Sequence, residues 1–139
     1  MHRLAIARRI RRHAERLLSR EYGSDLCGAC GICSAALARE FRRAGCAAKV
    51  KEGWFDNARG SCHCWVESGR YIYDLTAGQF GRFPKVMIVR LGDKRYRDGR
   101  NPHWPSWPDD QRPTHQRIRH LLRGAEDMLA NLAKQAAVG

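Results

Sequence analysis

The stretch of residues 25–45, DLCGACGICSAALAREFRRAG, constrains the fold more than any other part of the chain. Gly28 and Gly31 let the backbone turn tightly near its start. From Ile32 onward, small and apolar residues recur at helical spacing until Gly45, a residue typical of a helix C-terminus. The pattern therefore predicts a loop that leads into a short helix. The apolar positions of that helix are Ala35, Leu37, Ala38, Phe41 and Ala44.

Three cysteines lie around the predicted start of this helix. Cys30 is placed at or near the helix N-terminus, whereas Cys27 precedes the helix and Cys33 lies one turn deeper. A thiol at a helix N-terminus faces unpaired backbone N–H groups and the positive end of the helix dipole. Both favour the thiolate, which is the form that attacks carbonyls or binds metals. Cys30 is therefore the candidate reactive thiol.

Length and charge limit the remaining possibilities. The 139 residues are enough for one domain with a real core. Lysine and arginine number 26 against 14 aspartates and glutamates, which gives a net charge of +12. Such a balance favours an acidic partner: nucleic acid, an anionic membrane surface or an acidic protein. We expect a protein or peptide substrate. Nucleic-acid binding is compatible with the charge but is not the favoured alternative, and the oligomeric state is left open.

Hydropathy and cysteine content indicate the compartment. No apolar run approaches the roughly 18 residues that span a bilayer, and arginines occupy the N-terminus where a signal peptide has an apolar core. We therefore expect a cytoplasmic protein without a membrane span. In that compartment the six cysteines are expected to be thiols, metal ligands or a catalytic group rather than a disulfide framework.

The flanking segments predict a single α+β domain over residues 1–139. Residues 1–22 have the pattern of a basic amphipathic helix that docks its apolar stripe on the core. Residues 47–50 are predicted as a short strand and residues 53–60 as a loop. Residues 61–67 and 71–75, joined by a Ser-Gly pair, predict a β-hairpin.

The last third of the chain predicts one strand, one loop and one helix. Residues 84–91 read as a strand, and residues 92–113 as an ordered loop rich in proline and tryptophan. Trp104 and Trp107 are expected to pack as a lid on the core rather than to stack on bases. Residues 114–136 are predicted as a C-terminal helix.

Two polar residues stand on the predicted hairpin, His63 on its first strand and Asp74 on its second. Adjacent antiparallel strands bring such residues side by side, so Asp74 can accept the imidazole N–H and fix its tautomer. The other ring nitrogen can then face a thiol. Alternatively, His63 is a satisfied structural histidine and Asp74 caps a turn through Thr76.

The motifs resemble those of transglutaminase-like cysteine peptidases and acyltransferases, part of the wider papain-like group. The nucleophile helix of that family begins with Gly-x-Cys or a similar turn and ends in a glycine followed by a short strand. Its histidine motif, H-x-W-V-E, matches residues 63–67, and its D-x-T motif matches Asp74 and Thr76. The continuation AGQF resembles a compact bacterial or phage branch. The helix register is matched by Gly28, Cys30, Ser34, Leu37, Ala38, Phe41, Ala44, Gly45, Ala48, Val50 and Gly53.

The resemblance covers about residues 25–91 and implies a catalytic core with a papain/transglutaminase-like fold. Its helix would pack on a small antiparallel sheet, flanked by N- and C-terminal helices. In this family pattern Cys30 is the nucleophile, His63 the base and Asp74 its orienting group. The implied activity is hydrolysis or transfer at amide bonds, as a peptidase, deamidase or transglutaminase, without a cofactor. One oxyanion donor would be the backbone N–H of the nucleophile, and Tyr22 is a candidate second donor.

The other cysteines leave two further hypotheses open. Cys27, Cys30, Cys62 and Cys64 form a possible four-thiolate zinc set, and Cys27, Cys30 and Cys33 resemble the start of an iron–sulfur motif. Strand alternation points Cys62 and Cys64 to the face opposite the imidazole of His63, which predicts core thiols and disfavours joint ligation. The third possibility is a basic nucleic-acid-binding domain without catalysis.

Overall fold

A computed structural model describes residues 2–56 and 63–99 together with Ala130. Cys62, the two tryptophans of the predicted lid and, apart from Ala130, the predicted C-terminal helix lie outside the described residues. Within those residues the chain forms two α-helices and one five-stranded antiparallel sheet, which confirms the α+β class. The helices are α1 (Arg3–Tyr22) and α2 (Cys30–Arg43), and the strands are β1 (Lys49–Phe55), β2 (His63–Ser68), β3 (Tyr71–Asp74), β4 (Met87–Arg90) and β5 (Tyr96–Asp98).

The strands lie in the order β4-β3-β2-β1-β5, and every neighbouring pair is antiparallel. The predicted hairpin is present as β2 and β3, with Ser68 opposite Tyr71 and a two-residue turn at Gly69 and Arg70. A short 3₁₀ turn, Ala77–Phe80, follows β3. No helix in the described ranges is both long enough and apolar enough to cross a membrane.

Helix α1 forms as its sequence predicts. It contains no glycine or proline, and it ends before Gly23, whose positive φ of 83° a glycine adopts readily. Its buried apolar side chains are Ile6, Ala7, Ile10 and Ala14.

Side-chain alternation along the central strands separates two apolar clusters. Val66 and Tyr73 face the helices, where α2 packs on the sheet and α1 packs on α2. Trp65 and Ile72 face the opposite side, in a smaller cluster with Phe55 and Tyr96. The site described below is built where the start of α2 meets β2, between these two clusters.

Two element boundaries predicted from turn signals are wrong. Strand β1 extends to Phe55, although a loop was predicted from residue 53, and β5 lies inside the predicted loop 92–113. Gly53 marks a close approach rather than a turn. A Cβ atom at Gly53 would lie 1.9 Å from the Arg97 carbonyl oxygen and 2.9 Å from the ring of Trp65. The strand predicted over residues 47–50 begins later, at Lys49. The strand predicted over residues 84–91 is shorter and spans Met87–Arg90.

Gly53→Ala is therefore expected to destabilise the protein by about 1–3 kcal/mol, the usual cost of forcing an atom into filled space. The added methyl meets the backbone of β5, which has little freedom to move away within the sheet. Gly78→Ala is the matched control, because its Cβ would be 3.6 Å from its nearest neighbour, the carboxylate of Asp25. Urea unfolding of both variants measures the difference. Equal free energies of unfolding would contradict the close β1–β5 contact.

Candidate active site

Three elements bring the predicted catalytic residues together. Cys30 is the first residue of α2, His63 is the first residue of β2 and Asp74 is the last residue of β3. The register that pairs Val66 with Tyr73 puts Asp74 on the same face of the sheet as His63. The hairpin thus sets the histidine and the carboxylate side by side, as its sequence predicts.

His63 and Asp74 form a fully buried pair. The Nε2 atom of His63 lies 2.7 Å from Oδ2 of Asp74, and neither side chain is exposed to solvent. The other carboxylate oxygen, Oδ1, accepts the backbone N–H of Thr76 at 2.9 Å. Oδ2 also accepts the hydroxyl of Tyr96 at 2.8 Å. Because the carboxylate already accepts the Thr76 N–H and the Tyr96 hydroxyl, it is placed to accept a third hydrogen bond from His63, which puts the imidazole proton on Nε2.

The second ring nitrogen of His63, Nδ1, is the one that its bond to Asp74 leaves for the thiol. Nδ1 is buried and makes no well-aligned hydrogen bond to the residues that the structure describes. The sulfur of Cys30 is close enough to interact with the ring, and each group alters the pKa of the other. Burial by itself would lower the pKa of His63, but Asp74 and then Cys30 raise it to about 9.

The pKa of Cys30 is held well below its ordinary value. The largest cause is a hydrogen bond that the Cys64 thiol donates to the Cys30 sulfur. Burial opposes this effect, whereas His63 and the backbone N–H of Cys64 add to it. The lowered pKa of the thiol and the raised pKa of the imidazole both favour the thiolate–imidazolium form of the pair.

Cys64 was predicted as a core thiol on the strand face opposite the imidazole, and the structure shows it half-buried. Side chains do alternate along β2, so Cys64 leaves the strand on the face opposite His63. That face is where α2 begins, and Cys64 therefore meets Cys30. The alternation was predicted correctly, but the effect of Cys64 on the pKa of Cys30 was not predicted.

The two other cysteines near the start of α2 have different environments. Cys27 is exposed in the loop before the helix, and Cys33 is buried one turn into it. Burial, followed by the charge on Cys30, raises the pKa of Cys33 to about 12. Cys33 is therefore held as a neutral thiol while Cys30 is favoured as a thiolate.

Tyr96 belongs to the site, and the sequence reasoning missed it. It lies on β5, opposite Phe55 of β1, and burial followed by the neighbouring Asp74 raises the pKa of its hydroxyl. The available signal was weak: a single β-forming aromatic residue a few positions after the Gly92-Asp93 turn. Its contact with Asp74 depends on a long-range strand pairing that no local pattern indicates.

Aromatic rings enclose the imidazole of His63. The closest is Phe80, whose centroid lies 4.8 Å away at an interplanar angle of 89°. These rings bury the His63–Asp74 hydrogen bond in apolar surroundings, which strengthens it relative to a solvated pair. The other rings are Trp65 at 5.9 Å, Phe55 at 6.2 Å and Tyr96 at 6.4 Å.

Comparison with protein-family models, with curated proteins and with solved structures gives no match. The assignment of this site therefore depends on its own geometry.

The alternative metal set is only partly described. Cys62 lies outside the described residues, and within them no group of three or more cysteine, histidine or acidic side chains is placed to hold a metal ion. Tyr22, the candidate oxyanion donor, packs its ring against Gly28, 3.5 Å from where a Cβ would stand. It thus borders the loop that leads to Cys30.

Proposed function

We propose that the protein is a cysteine-dependent acyl-transfer enzyme that acts on amide bonds, with Cys30 as nucleophile, His63 as proton carrier and Asp74 as the group that orients His63. One observation carries the proposal: a lowered-pKa thiol at a helix N-terminus interacts with a histidine whose other nitrogen is bound to a buried carboxylate. Nucleophile, base and orienting group in this relation are the parts that nucleophilic catalysis requires. The motifs' resemblance to the transglutaminase-like, papain-like group supports the same assignment.

The first half of the proposed reaction forms an acyl-enzyme. The Cys30 thiolate attacks the amide carbonyl carbon, a C–S bond forms, and the carbonyl π electrons move onto oxygen. Backbone N–H groups in the first turn of α2, which have no partner within the helix, stabilise that oxyanion. When the tetrahedral intermediate collapses, Nδ1–H of His63 protonates the departing amine, leaving a thioester on Cys30.

The second half returns the enzyme to its starting state. Water or a primary amine attacks the thioester, and His63 takes the proton that this nucleophile loses. The C–S bond then breaks, and Cys30 leaves as the thiolate beside an imidazolium. Water as acceptor gives a peptidase or deamidase, and an amine gives a transglutaminase. Asp74 keeps the proton on Nε2, so that Nδ1 is the atom that exchanges protons in both halves.

A single reaction mixture tests the proposal. The reduced protein is incubated with casein and a fluorescent primary amine, and three products are measured: labelled casein, released ammonia and newly formed peptide termini. At least one product is expected, and it should disappear after alkylation of the protein with iodoacetamide. The absence of all three products, or a product that survives complete alkylation, would contradict the proposal. Which product forms identifies the acyl acceptor.

A further inference from the structure

A groove runs between α1 and the segment of residues 81–86. It consists of two cavities of about 660 and 310 Å³. Arg11, Glu15 and Lys85 line both cavities, so the cavities are adjacent parts of one depression, called here the α1 groove. The proposed reaction does not use any of these residues.

Cations stand on both banks of the α1 groove. Arg8 and Arg12 are exposed on α1, one helical turn apart, and Arg82 and Lys85 are exposed on the opposite bank. Arg11 forms part of the wall and is itself buried. Its guanidinium donates hydrogen bonds to the backbone carbonyls of Leu75 and Ser24. A ligand lying in the groove would therefore meet positive charge from two sides.

The carboxylates of the groove do not cancel this charge. Of the described residues, five cationic side chains line the two cavities against two carboxylates, Glu15 and Asp25. Glu15 is already paired, because Arg11 and Lys85 each lie 3.0 Å from its Oε1. Asp25 lies in the loop before α2, in the larger of the two cavities. The groove is therefore complementary to an anionic ligand over most of its length.

The dimensions and lining favour an extended polypeptide. The lining residues of α1 run from Leu4 to Ser19, about 22 Å at the helical rise, which six or seven extended residues span. Among the residues that the structure describes, Phe83 is the one aromatic side chain that lines the two cavities, whereas single-stranded nucleic acids are usually held on several stacked rings. The groove reaches Ser24 and Asp25, in the loop that leads to Cys30.

We propose that the α1 groove binds an acidic, extended polypeptide segment, and that this segment belongs to the substrate whose amide bond reaches Cys30. The first part stands on the groove alone, and the second part rests on the proposed function. The net charge of +12 is then used in part for substrate selection rather than for solubility alone.

Fluorescence anisotropy tests the binding. The probe is a fluorescein-labelled peptide of twelve alternating glutamates and alanines, and glutamine replaces glutamate in the comparison peptide. Arg12→Gln combined with Arg82→Gln removes one cation from each bank. Arg70→Gln combined with Arg90→Gln removes two exposed cations from the β3–β4 side of the sheet and serves as the control of equal charge. The same variants are titrated with an oligothymidylate of twelve nucleotides.

The groove variant is expected to bind the acidic peptide about tenfold more weakly and with a shallower dependence on salt, while the control changes affinity less than twofold. Equal weakening in both variants would overturn the proposal, because binding would then follow net charge. Tighter binding of the oligothymidylate, weakened specifically by the groove variant, would overturn it in favour of a nucleic acid.

A second measurement separates this proposal from the proposed function. Cys30→Ala should bind the acidic peptide as the wild type does, since binding needs no reactive thiol. If the wild type is inactive while groove-dependent binding persists, the catalytic proposal is wrong and the proposal that the α1 groove binds an acidic polypeptide is supported. If the protein is active, kcat/KM for an acidic substrate should fall about tenfold relative to a neutral one in the groove variant. An unchanged ratio would overturn the assignment of the groove to the substrate.

Discussion

Cys30→Ala is expected to abolish acyl transfer and amide hydrolysis, with a fall in rate of about 10⁴-fold or more. Removing the nucleophile leaves only oxyanion stabilisation and substrate binding, and related triads lose most of their rate in this way. The fold should survive, because alanine is a good helix former and the change deletes one sulfur atom at the start of α2. Turnover of the casein mixture measures the loss, and circular dichroism verifies the helix content.

Cys27→Ser and Cys33→Ala are the matched controls for the loss of a thiol. Cys27 is exposed before the helix, and Cys33 is buried with a pKa raised to about 12, so neither is expected to carry the acyl group. Both variants should retain most of the activity. Activity that is retained in Cys30→Ala but lost in either control would show that another cysteine is the nucleophile.

Asp74→Asn is expected to lower turnover by about 10²- to 10⁴-fold while the protein stays folded. An asparagine presents an amide N–H₂ or a neutral oxygen to Nε2, so the imidazole loses the partner that fixes its tautomer and favours its charged form. The ratio of kcat in wild type and variant measures the effect. A fully active variant would remove Asp74 from the mechanism, and an unfolded one would assign it to the turn with Thr76.

Tyr96→Phe is the graded control for the same carboxylate. It keeps the ring that packs beside His63 but deletes one of the donors to Oδ2 of Asp74. Loss of a single hydrogen bond to the carboxylate should cost less than replacement of the carboxylate by an amide, so we expect a fall of about tenfold. A larger loss of turnover in Tyr96→Phe than in Asp74→Asn would contradict the interpretation that Tyr96 acts through Asp74.

The sequence predicts those parts of the site that depend on local signals. The cysteine at the start of α2 follows from the Gly-rich loop and the helical spacing after it. The pairing of His63 with Asp74 follows from a hairpin with a short turn and from strand alternation. Each of these signals lies within a short stretch of sequence, so it can be recognised without knowledge of the tertiary structure.

The parts that were missed depend on contacts between distant segments. Gly53 looks like a turn residue, and only the approach of Arg97 and Trp65 shows why a strand needs a glycine there. Tyr96 reaches Asp74 because β5 pairs with β1 across the edge of the sheet. Cys64 meets Cys30 because α2 begins over the face of β2 that alternation alone cannot identify.

The positively charged groove is likewise only partly predictable from the sequence. The arginines of α1 are evident from the sequence, but they form a binding groove only with Arg82 and Lys85 on the opposite bank. Composition therefore predicts an acidic partner without indicating where that partner binds.

The pH dependence of alkylation tests the central claim, that Cys30 is a thiolate held by His63 and Cys64. Reduced protein is treated briefly with iodoacetamide across a pH series, and the rate at each cysteine is measured by peptide mapping. Cys30 is predicted to be labelled fastest at neutral pH, with a rate that stays high well below the ordinary pKa of a thiol. Exposed Cys27 provides the internal reference. Faster labelling of Cys27 or Cys33, or a Cys30 rate that rises only near the ordinary thiol pKa, would contradict the account.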